Sequence, residues 1–286
     1  MASLLDGFSQ LEVVGTGAGS TIFKGVDLRD GRIYAVKYVK WTQKGDERFL
    51  KQAANEFCVA SQLRHENLVR MHDFKRLRRY LKVVECIVQM DYFPGKMLSS
   101  LRGLSLPDTV GVFVQVSRAL SYMHQMGFVH TDIKPENILV DEVGRAMVID
   151  FGVACRLHST KSRVQGTPEF MAPEQLTKKP LDERTDVYNL GTTMFKVITG
   201  KVAPENVRIA VPLGNGSLQD IQSFDRSGVR DHNEEVSQQL AYVIEKCCRR
   251  SRSRRYQRMR EVADDLFSCF KEVAPPDHRL ITEATW

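Results

Sequence analysis

Through the first ninety residues, apolar positions fall in short β-rich runs punctuated by Gly and Asp, the pattern of strands joined by tight turns. Residues 11–14, 20–26 and 32–39 are three such runs, separated by 15–19 and by Arg29-Asp30-Gly31, and they predict an antiparallel meander. The period then lengthens. Asp46 offers an N-cap, and Phe49, Ala53, Phe57 and Ala60 recur at helical spacing as far as Leu63, which predicts a helix of about four turns. Two further strands, 68–74 and 83–90, complete this half.

Pro94-Gly95 is the clearest break in the chain, and the pattern changes after it from strands to helices. Pro107-Asp108 opens a helix in which Val112, Phe113, Val116, Leu120 and Met123 form one apolar stripe, closed by Gly127. Short apolar strands at 138–140 and 147–149 flank an Asp-Glu-Val-Gly turn. The nearly all-apolar stretch 186–198 reads as the central helix of the second half. Residues 204–236 show weak periodicity and predict loops with short helical pieces. Helices resume at 234–248 and 259–270, and the tail after Pro275-Pro276 is expected to be loosely docked. The class is α+β in two lobes: an N-terminal antiparallel sheet with one helix, then a larger, mainly helical lobe.

With 286 residues, 42% hydrophobic and 27% charged, the chain is neither disordered nor a disulfide scaffold. Its length allows one large core or two lobes, since single cores stop growing near roughly 250–300 residues. No apolar run approaches the ~20 residues that cross a bilayer, and the start, MASLLDGFSQ, lacks a basic segment followed by an apolar stretch, so a soluble cytoplasmic protein is expected. The six cysteines (Cys58, Cys86, Cys155, Cys247, Cys248, Cys269) form no C-x-x-C pair and read as reduced thiols. The net charge of +6 is concentrated in two clusters, one of Lys75, Arg76, Arg78, Arg79 and Lys82, the other from Arg249 to Arg260. Neither is interleaved with the aromatic residues that a single-strand platform would need, each holding one tyrosine, so a solvated turn and a solvated helix face or connector are expected rather than a nucleic-acid platform.

Candidate chemistry begins with Gly15-Thr16-Gly17-Ala18-Gly19-Ser20, between two predicted strands. Its glycines leave backbone N–H groups bare enough to approach phosphate oxygens, although a Gly-rich hairpin is often only a turn. It leads into a strand, unlike a dinucleotide-binding βαβ unit, and lacks the Gly-Lys-Ser/Thr ending of a Walker loop. Ala35-Val36-Lys37 puts a lysine in an apolar strand, where a buried ammonium needs an anion; Glu56, near the apolar face of the following helix, can supply one. The alternative is a strand-edge lysine in solvent. More specific is His130-Thr131-Asp132-Ile133-Lys134-Pro135-Glu136-Asn137, followed by Asp150-Phe151-Gly152. Asn137 and Asp150 offer oxygens suited to magnesium, and Asp132 remains to orient a hydroxyl and accept its proton.

In these motifs and their order the chain resembles the protein-kinase family along nearly its whole length, including Gly166-Thr167-Pro168-Glu169-Phe170-Met171-Ala172-Pro173-Glu174 and the stretch from Asp186 to Gly191. The resemblance implies the bilobal kinase fold over 1–286, with an N-lobe at 1–90, a hinge at 91–95, a C-lobe at 96–274 and a tail at 275–286. It implies that Gly15, Thr16, Gly17, Ala18, Gly19 and Ser20 cover the phosphates of ATP, and that Lys37, paired to Glu56, binds the α and β phosphates. Asp132 is then the catalytic base, Lys134 steadies the γ-phosphate, and Asn137 and Asp150 hold Mg2+, or Mn2+ in its place. Ile22, Ala35 and Leu139 would form the adenine slot, Asp91-Tyr92-Phe93 the hinge and Met90 a bulky gatekeeper. Lys134 and Gly166-Thr167 match the serine/threonine class. By the same resemblance Thr167 bonds near Asp132 and Lys134, Asp186 accepts backbone N–H bonds from the catalytic loop, and Glu174 pairs with Arg255.

Three departures stand out. Ser20 replaces the usual third glycine, with Gly19 beside it. Thr131 stands where many regulated kinases carry the arginine that meets an activation-segment phosphate, so activity is expected not to depend strongly on phosphorylation of that segment, which holds Ser159, Thr160 and Ser162. Ser251-Arg252 replaces an Asp-Pro turn, in an arginine-rich stretch that could dock an acidic partner. The expected function is a serine/threonine protein kinase of bacterial or parasite type, acting on protein Ser/Thr hydroxyls with ATP and magnesium. The alternatives are a nucleotide-binding pseudokinase scaffold and a kinase of a small molecule. A catalytic unit nearly uses up the length, so regulation is expected from partners or from the lobes themselves.

Overall fold

The computed structural model describes residues 4–17, 19–42, 46–203, 209–212, 218–221 and 227–274. Ala18 and the 275–286 tail lie outside the described residues. Two compact units divide the chain, one of Met1–Pro94 with Ile149–Ala154, the other of Gly95–Val148 with Cys155–Trp286.

In the first unit, β1 (Phe8–Gly17), β2 (Ser20–Asp27), β3 (Ile33–Lys40), β4 (Met71–Arg79) and β5 (Lys82–Asp91) form an antiparallel sheet in the order β1-β2-β3-β5-β4. Its core holds Phe8, Tyr34, Val36 and Ile87, with Phe23 and Tyr38 packed against it. β1 is longer than its apolar run because two register shifts let it bend while staying paired to β2. Helix α1 (Glu47–Ala60) buries Leu50, Ala53, Glu56, Val59 and Ala60, one face at helical spacing. Asp46 stands at the expected N-cap position but is itself helical (φ −71°, ψ −14°) and does not cap with its side chain. Its carboxylate instead accepts from the Thr42 N–H at 3.0 Å and hydroxyl at 2.8 Å. A further correction concerns β4, which begins at Met71 rather than 68 and runs through the first basic cluster. Lys75, Arg76, Arg78, Arg79 and Lys82 therefore lie on a strand pair, and the turn itself is the fully exposed Tyr80-Leu81.

The second unit opens with β6 (Lys96–Met97), which completes a small sheet in the order β6-β8-β9 with β8 (Ile138–Val140) and β9 (Ala146–Val148). Helix α2 (Leu106–Gln125) starts one residue before Pro107, capped by Ser105, whose Oγ accepts from the Asp108 N–H at 3.2 Å. The stripe of Val112, Phe113, Val116, Leu120 and Met123 is buried. Gly127, at φ +83°, turns the chain into β7 (Phe128–Val129), which pairs with β10 (Cys155–Arg156). After the short α3 (Pro173–Leu176), α4 (Glu183–Thr199) forms the central helix, three residues longer at its start than the apolar pattern because Asp182 caps it. Gly191 allows α4 to approach the later α6 (Gln238–Cys247) closely: a Cβ there would stand 2.5 Å from Cys247 Cβ.

Within 204–236 the structure departs from the loop expectation. β11 (Ile209–Pro212) and β12 (Leu218–Ile221) pair as a hairpin before α5 (Val229–His232), while 204–208, 213–217 and 222–226 lie outside the described residues. Ser237 caps α6, so that helix starts four residues later than predicted. Helix α7 (Met259–Val273) packs along α2. The connector from Arg249 to Arg258 is only partly solvated: Arg255 is buried, Arg252 reaches Asp182 and Arg258 reaches Glu183.

Candidate functional site

The sequence-predicted residues fall into two clusters, one in each unit. In the first, Gly15, Thr16 and Gly17 lie opposite Ile22, Thr21 and Ser20, so the described residues of the glycine-rich run stand at the closed end of the β1–β2 pair. Gly19 is left-handed (φ +78°), and a Cβ on it would come within 2.3 Å of the Phe49 ring, so this turn needs the glycine that Ser20 is not. Lys37, on β3, lies between Ile22 of β2 and Val88 of β5. Ala35, two residues earlier on the same face, is paired with Met90, which is buried and flanked by Met71 on β4. Asp91 is the last residue of β5; its N–H donates to the Arg70 carbonyl at 3.0 Å and its carboxylate meets His72 Nε2 at 2.6 Å. Phe93 is half-buried.

Lys37 is the charged centre of this cluster. Its Nζ donates to Glu56 Oε2 at 2.7 Å and stands 3.7 Å from Asp150 Oδ1. The Glu56 side chain is only 2% exposed, which makes an unpaired carboxylate there costly and the ammonium its necessary partner. Burial opposes the charge on Lys37, but the facing Glu56 and Asp150 hold it protonated, above the ordinary lysine range. Asp150 has a left-handed backbone (φ +65°), and its Oδ1 accepts from the Gly152 N–H at 3.2 Å. A residue that sequence reasoning missed holds this turn. Asn55, beside Glu56 on α1, donates from Nδ2 to the carbonyls of Phe151 (3.2 Å), Gly152 (3.2 Å) and Ala154 (3.0 Å). Its only signal was an amide next to the paired glutamate.

The second cluster is built on the loop after β7. Asp186, fully buried at the start of α4, accepts from the His130 N–H at 2.8 Å and the Thr131 N–H at 2.7 Å. It also meets His124 Nε2 at 2.8 Å, a partner the sequence did not suggest. Hydrogen bonds from His124 and the loop, with the imidazolium charge, outweigh burial and hold the Asp186 carboxyl below its ordinary value; the same pair holds His124 above its own. Asp132 is then fixed from two sides. Asn137 Nδ2 donates to its carbonyl at 2.8 Å and its Oδ2 at 3.2 Å, and the Thr167 N–H donates to its Oδ1 at 2.8 Å. Lys134 Nζ donates to the Thr167 hydroxyl at 2.7 Å and lies 3.4 Å from Asp132 Oδ2. Leu139, on β8, is half-buried opposite Met97 and Met147.

Thr131 is the strained member of this loop: a β-branched residue at φ +66°. Three bonds hold it, from its N–H to Asp186, to its carbonyl from Gln175 Nε2 at 2.8 Å, and to its hydroxyl from Lys161 Nζ at 2.6 Å. Glu174 and Arg255 form a two-pronged pair at 2.7 and 3.1 Å with almost no exposure.

A protein kinase domain model matches residues 8–267. The chain is 28% identical to a serine/threonine-protein kinase named as probable in Clostridium acetobutylicum, over 89% of this chain and 38% of that protein. It is 28% identical to the serine/threonine-protein kinase PrkC of Bacillus subtilis, over 91% of this chain and 40% of PrkC. It is also 33% identical to a receptor-like protein kinase, named as probable, of Arabidopsis thaliana, over 71% of this chain and 48% of that protein. The chain thus spans less than half the length of these curated relatives. Among the described residues no helix is long and apolar enough to cross a membrane.

Proposed function

The chain belongs to the protein kinase domain family, and from that premise we propose that it is a serine/threonine protein kinase, transferring the γ-phosphoryl group of ATP to Ser and Thr hydroxyls of proteins. The bonds around Asp132 carry this reading. A carboxylate locked by Asn137 and the Thr167 N–H, with the Lys134 ammonium 3.4 Å away, is arranged to align an acceptor hydroxyl and take its proton beside a cation. The Thr167 hydroxyl is bonded to Lys134, and the match of Lys134 and Gly166-Thr167 to the serine/threonine class favours serine and threonine over tyrosine.

Lys37 is assigned to the α and β phosphates, oriented by Glu56, under the hairpin of Gly15, Thr16, Gly17, Ala18, Gly19 and Ser20. Ile22, Ala35 and Leu139 are assigned to adenine, Met90 to the gatekeeper position, and Asp91 and Phe93 to the hinge of a domain spanning 1–286. Asn137 and Asp150 fit Mg2+, with Mn2+ as a substitute: the Asn137 Nδ2 is committed to Asp132, which leaves its carbonyl oxygen for a hard cation. A cation held by one carboxylate, one amide and substrate phosphates needs no cluster of three acids, imidazoles or thiols, and among the described residues there is none. Bound there, the ion supplies charge neutralisation to the phosphates. A reducing, cytoplasmic setting belongs to the same reading, with four of the six cysteines buried. An acidic partner at the cluster from Arg249 to Arg260 belongs to the same reading.

The test is phosphorylation of a peptide library by wild type and by Asp132→Asn. Transfer by wild type with loss in the variant supports the assignment of the base, and equal transfer by both overturns it.

A further inference from the structure

The register of β4 and β5 closes on Arg79 opposite Lys82, so a two-residue turn, Tyr80-Leu81, joins the strands. These are the two most exposed large apolar side chains among the described residues, at 103% and 93% of full exposure. Tyr80 also holds a left-handed backbone at φ +55°, at a position where two-residue hairpins favour Gly, Asn or Asp. An aromatic side chain is thus kept at the apex in a conformation that strains its backbone, although Asn or Gly would relieve the strain.

The flanks of this apex are basic. Arg76, Arg78, Arg79 and Lys82 are exposed, and no acidic residue occurs between Asp73 and Glu85. Those two bordering acids are engaged with other cations, Asp73 with Arg29 at 3.7 Å and Lys75 at 3.8 Å, and Glu85 with Lys40 at 3.6 Å. Arg76 lies 5.5 Å from the Phe74 ring centre and Lys82 5.3 Å from that of Trp41, contacts that seat a cation without cancelling its charge. β4 is an edge strand, and charges on an edge discourage pairing with another chain. That role accounts for the basic residues and not for the apolar pair at the tip.

We propose that the β4–β5 tip is a docking surface for an anionic lipid bilayer, with Tyr80 and Leu81 entering the headgroup boundary and Arg76, Arg78, Arg79 and Lys82 meeting the acidic headgroups. Apolar side chains at a protruding apex lodge where headgroups give way to acyl chains, and a tyrosine there keeps its ring in the apolar layer and its hydroxyl toward water. Clustered cations beside them add their attractions to a negatively charged membrane surface. An acidic protein would need a cleft matched to the protruding pair, whereas a fluid bilayer yields to it. Attachment of this kind is reversible and is not a membrane span. The surface lies wholly in the first unit and does not depend on the proposed kinase activity.

The experiment is co-sedimentation of the full chain with vesicles of phosphatidylcholine and with vesicles of phosphatidylcholine mixed with phosphatidylserine; a labelled polyglutamate peptide is the third probe. The variants are Tyr80→Asn with Leu81→Gly, which installs a favoured hairpin turn, and Arg78→Ala with Lys82→Ala. Wild type should bind the phosphatidylserine vesicles about tenfold or more tightly than phosphatidylcholine, and less so as salt rises. The turn variant should lose about tenfold in affinity with every cation in place, and the charge variant about tenfold or more. Both should keep the wild-type circular dichroism spectrum. Equal binding of the two kinds of vesicle, wild-type affinity in either variant, or binding of polyglutamate in place of vesicles overturns the docking surface.

Discussion

The Lys161 ammonium donates to the Thr131 hydroxyl at 2.6 Å, joining the segment after Asp150-Phe151-Gly152 to the residue immediately before Asp132. Burial pulls Lys161 below the ordinary lysine range, against the raising influence of Cys155, Asp186 and Asp132. A cation supplied by the segment itself thus stands on the residue before Asp132, where a segment phosphate would otherwise meet an arginine. We predict that replacing Ser159, Thr160 and Ser162 together by Ala leaves the transfer rate within about twofold of wild type. Lys161→Met should lower it by roughly ten- to a hundredfold through misplacement of Asp132, with the fold intact by circular dichroism. Loss of activity in the triple alanine variant with the fold retained would contradict this.

Lys37→Met should reduce transfer by about 10²-fold or more, because it removes the cation assigned to the ATP phosphates and strands the buried Glu56. Glu56→Gln should instead raise the KM for ATP more than it lowers kcat, since Asp150 still faces the lysine at 3.7 Å. Steady-state kinetics against ATP separates the two effects.

Much of this site was legible because its residues sit in short contiguous motifs. The apolar spacing of α1 put Glu56 near the face that meets Lys37, and the run from His130 to Asn137 carried its own chemistry. The hidden contacts are those between distant side chains with no local signature. Asn55 reaches residues almost a hundred positions on, Lys161 reaches back thirty, and His124 meets Asp186 from another helix. Asp27 is a similar case, with Gln89 Nε2 and Arg29 Nη2 at 2.9 and 2.7 Å; the arginine bonds hold its carboxyl well below the usual range. Capping was misjudged where a competing donor won, as when Thr42 captured the carboxylate of Asp46. The β11–β12 hairpin was missed because its strands are four residues each and lie in a stretch of weak periodicity.

The Glu174–Arg255 pair should be a major support of the second unit. Arg255→Met leaves a carboxylate that is 3% exposed without its counter-charge, at a cost of about 3–5 kcal/mol in urea unfolding. Arg254→Ala, one residue away and exposed, should change stability by no more than about 0.5 kcal/mol. Similar effects for the two would refute the assignment.

Stability should also depend on pH through His124. Its pKa is raised in the fold by Asp186 and Glu183 against burial, so its contribution is complete below the unfolded value of 6.5 and is lost as pH rises through the folded value. Asp186 and Glu183 are shifted the other way, Glu183 to about 2, so their contribution is lost only in acid. Melting temperature should therefore be highest between these limits and fall on the alkaline side of 6.5. His124→Gln should flatten the alkaline fall, and an unchanged profile would contradict the pairing.

The most direct measurement is phosphoamino-acid analysis after incubation with γ-labelled ATP, magnesium and an equal mixture of Ser, Thr and Tyr peptides, for wild type and Asp150→Ala. Label on phosphoserine and phosphothreonine with wild type, and none with a folded Asp150→Ala, is the predicted result. Label chiefly on phosphotyrosine, or undiminished transfer by Asp150→Ala, would contradict it.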